Sequence, residues 1–89
     1  MKYAVDYAPA AIKSLRKMDA SIARMIVGWV RKNLVGCTDP RVHGKALAAN
    51  HAGQWRYRVG DYRLIAEIHD ATVTILVLNI GHRREIYES

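Results

Sequence analysis

Residues Trp55 to Arg63 read Trp-Arg-Tyr-Arg-Val-Gly-Asp-Tyr-Arg, and the chemistry this stretch offers is that of a phosphate site. Large apolar residues alternate with arginine from Trp55 to Val59, the period of a half-buried strand. Gly60-Asp61 is a two-residue turn signal, and the strand resumes from Tyr62 to Ile68. Closing the turn on those two residues sets Val59 against Tyr62 and Arg58 against Arg63, with Arg56 two residues further along the same face. Trp55, Tyr57 and Val59 point to the opposite face, together with Tyr62 and Leu64. Like charges placed directly across a sheet destabilise it by about 0.2–1 kcal/mol. A bound anion offsets that cost, so the functional reading is a hairpin that buries its aromatic face and offers an arginine cluster to phosphate. A solvated basic face, with Glu67 nearby to pair, is the alternative reading of the same residues.

The chain as a whole leans the same way. Its 14 Lys and Arg outnumber 8 Asp and Glu for a formal charge of +6 over 89 residues, which favours a polyanionic partner, either nucleic acid or an acidic protein. Cys37 is the only cysteine, so no internal disulfide forms and no Cys/His metal framework has enough ligands; no metal or other cofactor is expected. The longest uninterrupted apolar run, Ile75 to Leu78, is far too short to span a bilayer. With no apolar signal core after Met1 either, a cytoplasmic protein without membrane association is expected, folded as one domain over 1–89.

The elements that must position the arginines follow from pattern. Tyr3, Val5 and Tyr7 alternate as a first strand with one buried face. Ala8-Pro9 starts a helix whose apolar stripe is Ile12, Leu15 and Met18. Asp19 is placed to cap a second helix through its carboxylate; there Ile22, Met25, Ile26, Trp29, Val30 and Leu34 recur at helical spacing, and Gly36 stops it. The tight link at Met18 to Ala20 makes the two helices an antiparallel hairpin. Cys37 to Gln54 lacks periodicity and reads as a connection, with His43, Lys45 and His51 as surface residues and Lys45 adding to the field of the basic hairpin. Asp70-Ala71 is a second turn. Thr72 to Ile80 is then a strand apolar on both faces, Val73, Ile75 and Val77 on one and Leu76, Leu78 and Ile80 on the other, as suits an interior strand. The order gives an α+β domain: an N-terminal strand, a helical hairpin, then a three-stranded antiparallel meander, with two helices packed on one face of a small, mostly antiparallel sheet. The other face stays partly open under Arg56, Arg58 and Arg63. A C-terminal segment leaving the last strand at Gly81 would bring Arg83, Arg84 and Tyr87 to that surface.

The basic hairpin, followed by Ile80-Gly81-His82-Arg83-Arg84-Glu85-Ile86-Tyr87, resembles the RelE/ParE toxin superfamily over the whole chain. The resemblance implies the toxin of a type II toxin–antitoxin pair, with a cognate antitoxin protein as partner and any DNA binding made through the antitoxin complex. RelE-like members cut mRNA on the ribosome without a metal: the 2′-hydroxyl attacks the adjacent phosphate and leaves a 2′,3′-cyclic phosphate and a free 5′-hydroxyl. ParE-like members act on DNA gyrase and lack the nuclease residues. Carried onto this chain, the resemblance makes Tyr87 the general base, Arg83 the acid or phosphate stabiliser and Arg63 a phosphate-binding arginine. Arg56 and Arg58, which stand where RelE has lysines, Lys45 and Arg84 complete the RNA-binding set. Guanidinium stays charged and contacts phosphate through a planar fork, whereas lysine changes protonation more readily. His82 is adjacent to this set, a second candidate for proton transfer or else a turn residue.

Overall fold

The computed structural model describes residues 1–47 and 53–84. Strand β1 (Ala4–Tyr7) leads into helices α1 (Pro9–Lys17) and α2 (Ala20–Asn33), then short strand β2 (Lys45–Ala46), β3 (Gln54–Val59), β4 (Tyr62–His69) and β5 (Thr74–His82). The sheet runs β1-β5-β4-β3-β2. β1 lies parallel to β5, and the remaining neighbours are antiparallel. The α+β architecture expected from the pattern is present, with the helical hairpin on one face of a mostly antiparallel sheet.

Pro9 opens α1 where its missing N–H costs nothing. The residues that α1 turns inward are Ala11, Leu15 and Met18, three to four apart. Ile12, expected in that stripe, sits at its edge and is exposed; Met25 of α2 is likewise exposed while Ile22, Ile26, Trp29, Val30 and Leu34 pack inward. Asp19 stands at the start of α2, but its carboxylate accepts from Ser21 Oγ at 3.1 Å and makes no cap bond to the helix backbone. The Asp19 carbonyl takes the first helical N–H groups, from Ile22 and Ala23. Lys13, Arg16, Lys17, Arg24, Arg31 and Lys32 are all exposed on this helical layer.

The core between the layers holds Ile26, Val30, Leu34, Tyr57, Val59, Leu64, Ala66, Ile75, Val77 and Ile80. Ile80 was expected on the face opposite Ile75 and Val77, by simple alternation. A bulge between Ile65 and Ala66 resets the register, pairing Ile65 with Asn79 but Ala66 with Val77. Leu78 becomes the extra residue, and Ile80 returns to the helix side opposite Leu64. The β4–β5 link is a 3₁₀ turn over Asp70–Thr72 with Val73 at φ 52°, so β5 begins two residues later than the pattern predicts. Its far end passes Gly81 and stops at His82.

The connection after α2 also does more than cross the sheet. Lys45 pairs with Arg56 and Ala46 with Trp55, adding an edge strand beside the hairpin. Gly44, at φ +79°, makes the approach: a Cβ there would run into the Arg56 carbonyl and the Trp55 indole. Trp55 Nε1 donates to the His43 carbonyl at 2.6 Å, and the Tyr57 hydroxyl donates to the Pro40 carbonyl at 2.7 Å. Both aromatics thus bury their rings and satisfy their polar ends on the connecting loop. Burial pushes the Tyr57 phenol well above its ordinary range. At the β4–β5 link Arg41 donates from both terminal nitrogens to Asp70, at 3.2 and 3.0 Å, and the Tyr3 hydroxyl donates to the same carboxylate at 2.7 Å. These bonds, Arg41's first, hold the Asp70 carboxyl below its ordinary 3.8.

Two outcomes follow. Tyr57→Phe leaves the buried Pro40 carbonyl without its donor and should cost about 1–3 kcal/mol in urea unfolding. Because the folded pKa of Asp70 is depressed, its contribution is full above the ordinary carboxylate value and is lost as pH falls through the folded value. The stability gap between the unaltered protein and Asp70→Asn should therefore be present at neutral pH and close on acidification.

Candidate functional site

Strand alternation in β3 divides its side chains between two environments. Trp55, Tyr57 and Val59 face the helices, and Arg56 and Arg58 face away. The turn that fixes this phase has Gly60 at φ 59° and no positive φ at Asp61, the pattern of a II′ hairpin with glycine in the first central position. Val59 pairs with Tyr62 and Arg58 with Arg63, as the turn signal predicts. Arg63 in turn pairs with Gly81, which brings no side chain to the position beside it. Lys45, opposite Arg56, extends the same face across β2. The expected arginine face is therefore assembled from three adjacent strands.

Arg63 is its centre. Arg58 is exposed, whereas Arg56 and Arg63 are partly buried and the Arg63 Nη1 atom is shut off from solvent. The pKa of Arg63 is pushed down, first by burial and then by Arg58, Arg56 and Arg83, with Asp61 acting the other way. A guanidinium remains charged under such pressure. What the shift reports is a concentrated positive field with one partly desolvated cation within it, the setting in which a phosphate oxygen is bound most strongly. Glu67, the expected counter-charge, is engaged by His69 Nε2 at 3.0 Å. Charge crowding of this kind has a folded-state cost that a bound anion would offset.

Arg83 follows the end of β5 and is exposed, with its backbone N–H donated to the Asp61 carbonyl at 2.8 Å. The hairpin turn thereby ties the start of the C-terminal segment beside Arg63, a link that the sequence pattern does not signal because a main-chain carbonyl makes it. Arg84 is exposed and its N–H is donated to His82 Nδ1 at 3.3 Å. Tyr87 lies outside the described residues, as does His51. His82, expected next to the cluster as a proton-transfer candidate or else a turn residue, stands apart from the arginine face and accepts the Arg84 N–H as a turn residue does. It is the last residue of β5, paired with Tyr62, and its side chain shares the helix side with Tyr62 and Ile80. There it lines a cleft of about 340 Å³ with Ser14, Lys17, Met18 and Asp19. His43 is half-buried, its ring 5.8 Å from Trp29, so it belongs to the packing of the loop. Among the described residues no group of three or more His, Cys, Asp or Glu side chains is placed to hold a metal, and no helix is long and apolar enough to cross a membrane.

The layering of a helical hairpin on one face of this sheet, with the basic hairpin on the other side, is the RelE fold. The isolated RelE toxin of E. coli has it, with a TM-score of 0.71 at 20% identity over 90% of this chain and 83% of that one. The chain belongs to the ParE toxin family of type II toxin–antitoxin systems, whose family model matches residues 5–87, within the wider RelE/ParE superfamily. Toxin RelG of Mycobacterium tuberculosis (strain ATCC 25618 / H37Rv) is 32% identical over 87 residues, covering 98% of each chain. A chain of the toxin–antitoxin complex RelBE2 from M. tuberculosis matches with a TM-score of 0.84 and 30% identity, covering 93% of both chains.

If the crowded arginines carry a like-charge cost in the free protein, removing one should show it. Arg58→Ala should stabilise the free protein by about 0.2–1 kcal/mol at low salt. The gain should shrink towards zero as added salt screens the repulsion, and urea unfolding at two ionic strengths measures it.

Proposed function

We propose that this toxin is a ribosome-dependent endoribonuclease that cleaves mRNA without a metal. The reading is supported above all by the convergence of Arg56, Arg58, Arg63 and Lys45 on one open face, with the backbone of Arg83 tied to the turn at its end. In the proposed reaction the 2′-hydroxyl oxygen attacks the adjacent phosphorus while the bond from phosphorus to the 5′-oxygen breaks. A 2′,3′-cyclic phosphate and a 5′-hydroxyl result. Arg63, with Arg56 and Arg58, holds the non-bridging oxygens and stabilises the charge that grows on them, a task suited to fixed cations in a partly desolvated site. Tyr87 takes the 2′-hydroxyl proton, a role that nearby positive charge would favour by stabilising a phenolate. Arg83 stabilises charge on the departing 5′-oxygen, which takes a proton from water to become the 5′-hydroxyl, and Lys45 and Arg84 bind flanking phosphates. Arginine in place of lysine at 56 and 58 makes this an electrostatic site more than a proton-shuttling one.

The partner proposed for storage is a cognate antitoxin. The M. tuberculosis RelBE2 structure and the archaeal RelE-RelB structure from Pyrococcus horikoshii OT3 are both toxin–antitoxin complexes. The net charge of +6 suits an acidic, extended segment that orders as it lies over the sheet and helices. DNA would be contacted through that complex, and the working compartment is the cytoplasm. A second reading draws on the match to a ParE family model: inhibition of DNA gyrase by protein contact, with no cleavage and no dependence on Tyr87.

Primer extension on a defined mRNA carried by programmed ribosomes separates the two. Cuts in the decoding site should appear with the unaltered protein, fall by about 10²–10³ for Arg63→Ala, the scale of one lost transition-state contact, and fall for Tyr87→Phe as well. A folded, antitoxin-free protein that leaves the message intact and inhibits gyrase equally with Tyr87→Phe would overturn the nuclease reading.

A further inference from the structure

We infer that His82 is a positioning residue that holds the backbone of Arg83 and Arg84 against the end of the sheet. Its functional consequence rests on the phosphate-site reading above; its structural basis does not.

Two consecutive backbone N–H groups that leave β5 are both captured. That of Arg83 goes to the Asp61 carbonyl at 2.8 Å, and that of Arg84 goes to the His82 ring nitrogen Nδ1 at 3.3 Å. The second bond runs from a side-chain acceptor to the N–H two residues on, the arrangement by which asparagine and aspartate stabilise turns. A strand that ended at His82 without it would have only the Asp61 carbonyl to set the direction of the basic segment. Accepting at Nδ1 requires the ring hydrogen on Nε2, so the hydrogen bond also selects the tautomer.

The ring is itself fixed. It stands edge-on to Tyr62, its partner across the strands, with centroids 5.4 Å apart and planes at 83°. Met18 and Ile80 line the same cleft. Edge-to-face contact at this distance is a favourable aromatic geometry. Tyr62 follows Asp61 directly in the chain, so the residue that orients the ring and the residue that receives the Arg83 N–H belong to one turn. The hairpin turn, the histidine ring and the two arginine amides form a closed loop of contacts.

This arrangement also separates His82 from phosphate chemistry. The strand pairing places its side chain on the helix side with Tyr62, while Arg63, one residue on from Tyr62, lies on the other side with Arg56 and Arg58. The ring and a phosphate held by those arginines would lie on opposite faces of the sheet. His82 acts through the direction it gives the chain.

The test uses His82→Asn and His82→Leu in the full chain. Asparagine retains an acceptor that can reach the N–H two residues on and has no titrating ring; leucine fills space without an acceptor. Amide exchange by NMR should be about 2- to 12-fold faster at Arg84 in the leucine variant, the factor corresponding to one net hydrogen bond, and should return towards the unaltered rate with asparagine. Affinity for a 2′-O-methyl RNA fragment, which binds without being cut, should follow the same order. Unchanged Arg84 exchange in His82→Leu overturns the inference, as does an asparagine variant that is no slower than leucine. Absence of RNA binding by the unaltered protein, with the exchange order intact, counts against the phosphate-site reading and leaves the positioning role standing.

Discussion

The phase of β3 depends on the two-residue reversal at Gly60-Asp61, and most of the molecule depends on the phase of β3. Side chains alternate along a strand, so a slip of one residue would turn Arg56 and Arg58 into the core and Trp55 and Tyr57 out to solvent. Gly60 takes the positive φ that the reversal needs, which pairs Val59 with Tyr62 and Arg58 with Arg63. From that pairing come both the aromatic layer under the helices and the arginine face above them. The same turn then receives the Arg83 N–H, so one reversal sets the register of the hairpin and the starting point of the C-terminal segment.

The two sides of the hairpin are built on different physics. On the helix side Tyr57 is fully buried, Trp29 lies 5.9 Å from it, and the hydroxyl finds the Pro40 carbonyl. Burial of apolar area with every polar end satisfied is what makes the phase of β3 unambiguous. On the open side cations accumulate with partial burial at Arg63. That arrangement is unfavourable in isolation and is tolerated because the other side of the same strands is so firmly specified. The bulge at Ile65/Ala66 belongs to the same economy of register: it returns Ile80 to the core and lets Gly81 and His82 arrive beside Arg63 and Tyr62.

Much of this was legible in the residues. Period-two alternation, a turn dipeptide and two amphipathic helical stripes sufficed for the element order, the hairpin register and the arginine face, because each is a local pattern repeated over several residues. What escaped were features decided by a single contact at a distance. Simple alternation cannot show a bulge, so Ile80 was assigned to the wrong face. The two-residue strand at Lys45–Ala46 has too few residues to show a period and forms because Gly44 allows close approach to β3. Asp19 was expected to cap α2 because its type favours that role, yet its carboxylate pairs with Ser21. The face taken by His82 follows from register and from its ring contact with Tyr62, and neither is visible in the dipeptide Gly-His. The catalytic roles proposed for Tyr87 and the arginines come from the family resemblance, since the residues alone indicate only a site for anions.

The central claim is that the open face, and not the basic helical layer, receives the RNA phosphate. The most direct measurement follows the side-chain Nε–H signals of the arginines by NMR while a 2′-O-methyl RNA fragment is added. Signals of Arg56, Arg58 and Arg63 should move together with saturable binding that weakens as salt rises, as expected when several phosphates are neutralised at once. Shifts confined to Arg24 and Arg31 on the outer surface of α2, with the three hairpin arginines unmoved, would contradict it.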